Sequence, residues 1–292
     1  MESATLQTNP LSKYMRQPKI YIRLPSQGQY WPAGSLNLTE TGEYAVYSMT
    51  AKDELMLKVP DALLNGQAVV DVIQNCVPDT KNAWNVPSID IDVILVAIRI
   101  ATYGEKMKTP INFEGSETSD IDLEYDVDLR TVLDTLMNQI SWNPIIPIDE
   151  NMTMYVRPMP YSQQTKLGLQ VFETQKLISI ANNETMSEDD KLKVFKESFG
   201  KLTSITIDLA GDAIYKIDTF DGTVDNAQHI KEFVQNMDKD MFNKIQNHME
   251  QLKEQNSIKP IVVPVTEDMK AKGVKGETLE IPLAFDVSSF FG

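Results

Sequence analysis

The sequence predicts an α+β protein: an N-terminal mixed α/β region with short strands and a buried helix, then a mainly helical region, then a short β-rich C-terminal tail. Three observations carry that expectation. Short β-branched runs punctuated by Gly and Pro fill the chain up to about Tyr47. A nearly all-apolar run, residues 90–101, has acidic residues at its start and Gly104 just past its end, the signals of helix termini. Long stretches of helical periodicity then occupy residues 162–257. The expected divisions are 1–158 for the mixed region, 159–258 for the helical region and 259–292 for the tail.

In order along the chain, residues 20–23, 35–38 and 44–47 read as short strands. Residues 53–64 and 68–76 read as short helices broken at Pro60 and Gly66. The helix over 90–101 is apolar on almost every side, so it belongs inside a domain, and Arg99 on it must find a partner or reach solvent. Residues 121–129 alternate with the period of a strand buried on one side. The outer face of that strand is a row of carboxylates, Asp120, Asp122, Glu124, Asp126 and Asp128. Side chains along one strand face diverge, whereas a cation cage needs convergent ligands, so the row reads as a solvated or partner-facing acidic edge, whose mate, if the edge is functional, is a basic protein surface.

Three helices are expected between 162 and 257. The first spans about 162–182. The second opens on a capping-box-like Ser187-Glu188-Asp189-Asp190 and aligns Leu192, Phe195, Phe199, Leu202, Ile205, Leu209 and Ala213. The third follows Asp221-Gly222-Thr223, takes Asp225 as its cap, and aligns Ile230, Val234, Met237, Met241, Ile245, Met249 and Leu252. Packing of the three on one another as a bundle is the expectation, and the adaptable thioethers of Met237, Met241 and Met249 also suit an irregular partner. In the tail, 261–265 and 278–283 are β-rich. Phe290 and Phe291 dock back into their own domain or insert into a neighbour, since leaving both in water forfeits a few kcal/mol of burial.

Composition narrows the function. The chain has 292 residues, 42% of them hydrophobic, enough for a substantial core, and its formal net charge is −15. Such a surface repels phosphate backbones and anionic lipid, which argues against nucleic-acid and membrane partners. A single cysteine fits a reducing cytoplasm, the start of the chain lacks the pattern of a secretion signal, and no apolar run reaches membrane-spanning length. His229 and His248 lack metal-pair spacing, and no nucleophile elbow, phosphate loop or dinucleotide fingerprint is present. Cys76 reads as a small buried hydrophobe, and Asp90 with Asp92 as helix-start charges. No catalytic, cofactor or metal residue is therefore expected.

The most distinctive segment is Leu24-Pro25-Ser26-Gln27-Gly28-Gln29-Tyr30-Trp31, a turn whose Gly28 can take positive φ, followed at once by two aromatics. It resembles the opening of the baseplate hub subunit family of T-even-like contractile-tailed phages. Cys76-Val77, Ile98-Arg99, Thr102-Tyr103-Gly104, Arg157-Pro158 and the terminal 285–292 stand in the order that family implies. The likeness is strongest before about residue 105. One departure is that residues 112–115, Asn-Phe-Glu-Gly, lack the Cys-x-x-Cys pair often carried there by the family.

The resemblance implies a non-enzymatic hub protein or hub assembly factor that binds the central hub, the tape-measure protein or other assembly factors. Its place is the host cytoplasm during assembly or the virion tail baseplate. A transient tail-assembly chaperone, a generic acidic adaptor and an enzyme with a metal-dependent carboxylate site along 120–128 are the alternatives. The candidate partner-binding residues are Leu24, Pro25, Ser26, Gly28, Tyr30 and Trp31 of the turn, Asp122, Glu124 and Asp126 of the acidic strand, Met237, Met241 and Met249, and Phe290 with Phe291.

Overall fold

The computed structural model describes residues 11, 14–59, 65–110, 124–138, 142–181, 187–271, 274–281, 283 and 290–291. Strand β1 (Ile20–Arg23) pairs antiparallel with β2 (Glu43–Val46), with Ile22 opposite Tyr44. Alternation turns Ile22, Tyr44 and Val46 inward and leaves Tyr21 in water. The strand expected at 35–38 is a single bridge, Leu36 to Thr80, because Ser35 is occupied in turn bonds to Pro32, Lys81 and Asn82. Helix α1 (Ala51–Leu57) starts at a capping box in which Thr50 Oγ1 accepts from Asp53 N, and Asp53 Oδ2 accepts from Thr50 N at 2.7 Å. The other Asp53 oxygen accepts from Asn75 Nδ2 at 2.9 Å, so this buried carboxylate also ties α1 to α2 (Gln67–Cys76).

Helix α3 (Ser88–Tyr103) runs through the middle of this half, two residues longer at each end than the sequence pattern suggests, and stops at Gly104, whose φ is 91°. Around it gather β1, β2, α2 and α4 (Leu129–Met137), the last capped by Asp128, which accepts from Arg130 N at 2.9 Å. Between α3 and α4 lie β3 (Lys106–Pro110) and β4 (Glu124–Asp128), antiparallel. Together these elements form the first core.

A second core forms on the antiparallel sheet β5 (Ile145–Pro147), β6 (Met152–Val156), β7 (Ile214–Thr219) and β8 (Gly222–Val224), which are neighbours in that order. Between β6 and β7 the chain makes one excursion, helices α5 (Tyr161–Ala181) and α6 (Glu188–Ala213). Its two ends are pinned together. Val156 pairs with Ile214, and Arg157 N donates to the Ala213 carbonyl at 2.9 Å. With only residues 182–187 joining them, the two helices run antiparallel as an arm based on the sheet.

Helices α7 (Ala227–Asn236) and α8 (Lys239–Asn256) cover one face of the sheet, packing Ile230, Val234, Ile245 and Leu252 against Ile146, Met154, Val156, Ile214 and Ile217. The long stretch with helical periodicity thus contains two strands, and its third helix is two. Asn226, rather than Asp225, caps α7, and Asp238 caps α8 by accepting from Met241 N at 2.9 Å. The apolar spacing continues across the break because both helices face the same sheet. In place of a three-helix bundle, α7 and α8 pack on strands.

The tail is a small hairpin, β9 (Ile261–Pro264) with β10 (Thr278–Ile281), enclosing α9 (Glu267–Ala271). Val263, Val265, Val274 and Ile281 cluster there. The α+β class expected from the sequence is the one that forms. Among the described residues no helix is long and apolar enough to cross a membrane.

Candidate functional site

The turn after β1 is built around a buried acid. The Leu24 carbonyl accepts from Gln27 N and the Ser26 carbonyl from Gln29 N, both at 2.9 Å. Gln27, Gly28 and Tyr30 adopt φ of 53°, 80° and 66°. For Gly28 that conformation costs nothing; for Tyr30 it is strained and must be held by its surroundings. The holding group is Asp90, the third residue of α3, which is 0% exposed. Its Oδ1 accepts from Ser26 N at 2.9 Å, and its Oδ2 meets Ser26 Oγ at 2.5 Å and accepts from Trp31 Nε1 at 2.8 Å. Ser26 Oγ in turn accepts from Gly28 N at 3.1 Å.

Burial pushes the Asp90 carboxyl up to about 6, against the opposing pull of its bonds from Ser26 and Trp31. Asp92, one half-turn on, is also raised to about 6, by burial alone. The turn faces inward. Leu24 and Ser26 are buried, Pro25 and Gly28 half-buried, Trp31 packs on the first core and Tyr30 on the second. One turn therefore clasps both cores, and a Cβ on Gly28 would meet the Leu38 side chain at 2.5 Å besides being strained by its φ. Sequence reasoning took Asp90 only as a helix-start charge. The usable signal was an acid in the first turn of a helix that is otherwise apolar.

The other candidate residues are dispersed. Glu124 and Asp126 are exposed on β4, with the lysines of β3 across from them: Lys108 is opposite Asp126 and its Nζ lies 3.0 Å from Glu124 Oε2. The acidic face is thus partly answered within its own hairpin. Asp122, with Asp120, lies outside the described residues. Among the described residues no group of three or more His, Cys, Asp or Glu side chains stands where it could hold a metal ion. Met237, Met241 and Met249 are half-buried against the second core. Met241 also lines an open cleft of about 460 Å³ with Ile148, Asp149, Asp238, Asp240 and Lys244.

Phe290 and Phe291 are buried in the first core, edge to face at 5.0 Å, and the Phe291 carbonyl accepts from the Tyr103 hydroxyl at 2.9 Å. Of the two placements open to the aromatic pair, the structure adopts the one in its own domain. Arg99 lies over the Tyr103 ring at 4.3 Å and 5.9 Å from the Phe290 ring, so the buried helix resolves its cation by stacking on aromatics. Burial lowers its pKa.

Two of the groups that catalysis could use are engaged or buried. His248 Nε2 is 3.0 Å from the Asn143 carbonyl. Cys76 is buried, and desolvation, with Asp53 nearby, pushes its thiol up to about 11, which leaves it protonated and inert.

The largest difference from the sequence reading is on the arm. The stripe expected to be a core face leaves Leu192 55% and Phe199 61% exposed, and Phe172 of α5 is 52% exposed. Among the described residues between 162 and 209, only Thr174 and Ser198 are buried.

Comparison with known proteins adds one match: a family model described as T4 bacteriophage base plate protein fits residues 19–275. No curated protein and no solved structure matches the chain.

Proposed function

Because the chain belongs to the T4 bacteriophage base plate protein family, we propose that it is a baseplate hub component that works by binding other tail proteins. Membership gives it a structural or assembly role in the phage baseplate; the hub, and binding as its mode of action, are the proposal. The observation that carries the reading is the extent of the match, which takes in the clasp, the second core, the arm, the first core up to Met137, and β9 with α9 of the tail. Three features support binding over chemistry: an inert buried thiol, an acidic strand presented to solvent at Glu124 and Asp126, and an arm with exposed apolar side chains.

In this reading the clasp residues Leu24, Pro25, Ser26, Gly28, Tyr30 and Trp31 shape the binding surface from within, and Phe290 with Phe291 hold the tail in place. Partners are the central hub, the tape-measure protein or assembly factors met in the host cytoplasm, and the mature location is the tail baseplate. A second reading, a chaperone that leaves before the virion is complete, is favoured by the same exposed side chains on the arm, which would shield a helical client and then release it.

Quantitative mass spectrometry of purified particles against infected-cell lysate, normalised to a known baseplate protein, tests the two. A fixed ratio in particles supports the hub component. Abundance in lysate with absence from particles replaces it with the chaperone.

A further inference from the structure

Two helices packed side by side cover one stripe of each, and α6 carries more apolar surface than α5 covers. At about 100° per residue, Leu192, Phe195 and Phe199 fall within a sector of about 60°, and the rings of Phe195 and Phe199 stack with centroids 6.5 Å apart. The buried Ser198 lies about 90° from the centre of that sector, so the sector is not the one turned to α5.

Charge says what covers it. In a chain whose net charge is −15, helix α6 opens on Glu188, Asp189 and Asp190, of which Glu188 pairs with Lys191 of its own helix at 3.2 Å. As far as residue 201 it carries Lys193, Lys196 and Lys201 as well, against the single acid Glu197; Asp208 and Asp212 follow only near its base. A helix with acids at its head and lysines behind them is complementary to itself in the antiparallel sense. The head of one copy meets the lysines of the other, and a two-fold axis makes the contact reciprocal. Asp189 and Lys196 lie within about 20° of each other around the helix, on the same flank of the Leu192, Phe195 and Phe199 sector, and like flanks face each other in an antiparallel pair.

Repulsion between two acidic bodies does not oppose the arrangement. Pairing centred near residue 193 leaves the Ala213 ends of the two helices about 60 Å apart at 1.5 Å per residue. That is many times the screening length of about 8 Å at physiological ionic strength.

We propose that the arm joins two copies of this chain through an antiparallel contact near its tip. Leu192 and Phe195 form the apolar centre, Phe199 of each copy covers the head of the other helix near Ser187, and Asp189 of each copy faces Lys196 of the other. This holds whichever version of the baseplate role is correct, since it concerns only the chain's association with itself.

The test is sedimentation equilibrium of the full chain at physiological salt. A dimer is expected, and Leu192→Glu with Phe199→Glu should return it to monomer with the circular dichroism spectrum and melting temperature of the monomeric chain unchanged. Lys196→Glu alone should weaken dimerisation roughly tenfold, and adding Asp189→Lys should recover most of the loss. Recovery by a second substitution is not something misfolding produces. A chain that stays monomeric up to about 100 µM overturns the proposal, as does a dimer whose dissociation constant is unmoved by any of these variants.

Discussion

Helices α3 and α6 make an instructive pair. Helix α3 is enclosed by β1, β2, α2, α4 and the clasp, its buried carboxylate Asp90 accepts from two residues, and Arg99 stacks on Tyr103. Helix α6 is ten residues longer, 26 against 16, yet over most of its length it leans, among the described residues, on α5 alone, and two of its large apolar side chains stand in water. Apolar side chains on a helix mark a surface that needs covering; the number of layers around the helix decides whether its own chain supplies the cover. Among the described residues the body covers the apolar face of its central helix, and the arm leaves part of its own in water.

Substitutions should divide along that line. The largest loss is expected from Phe290→Ala with Phe291→Ala, which empties two buried aromatic sites of the first core. Urea denaturation should record about 5 kcal/mol or more, and a loss below about 1 kcal/mol would place the tail outside the core energetics. Asp90→Ala leaves the Ser26 and Trp31 donors unpaired in a dry site and should cost about 3 kcal/mol.

Acid titration gives the sign of the same site. Asp90 and Asp92 rise to about 6 in the folded chain, above the ordinary value near 3.9, so between about pH 4 and 6 the native state keeps protons that the unfolded state has lost. Their contribution therefore favours folding at about pH 4 and is lost as pH rises through about 6, by roughly 2 to 3 kcal/mol for each carboxyl. Asp92→Asn should flatten the slope of unfolding free energy against pH across that window; an unchanged slope would mean Asp92 is hydrated.

Gly28→Val should cost about 2 kcal/mol through its positive φ and its approach to Leu38. At the small end, Phe199→Ser on the arm should change the stability of the dilute monomer by less than about 0.5 kcal/mol.

The sequence was most legible where a signal is local. Strand β1 falls where alternation puts it, α3 ends where Gly104 ends it, and Ser187 caps α6 by accepting from Asp190 N. Strands β7 and β8 were hidden because the apolar residues of Ile214–Thr219 follow directly on α6 and fit its period, while their sheet partner β6 lies across the whole arm. The clasp was legible as a turn, Gly28 included, but not as a clasp, since Asp90 is 64 residues from Ser26. The row of acids on β4 was legible, but the lysines answering it on β3 belong to a pairing that spacing alone does not reveal. Burial of the Phe290 and Phe291 pair and exposure of Phe199 share one reason: what surrounds a side chain depends on tertiary neighbours.

Hydrogen exchange on the full chain tests the division between body and arm most directly. At micromolar concentration, α3 amides should exchange only through global unfolding, while α5 and α6 amides between about residues 167 and 202 exchange through a cheaper local opening. Arm amides protected as strongly as those of α3, at every concentration down to the lowest measurable, would contradict the account, because the arm would then need nothing beyond its own chain.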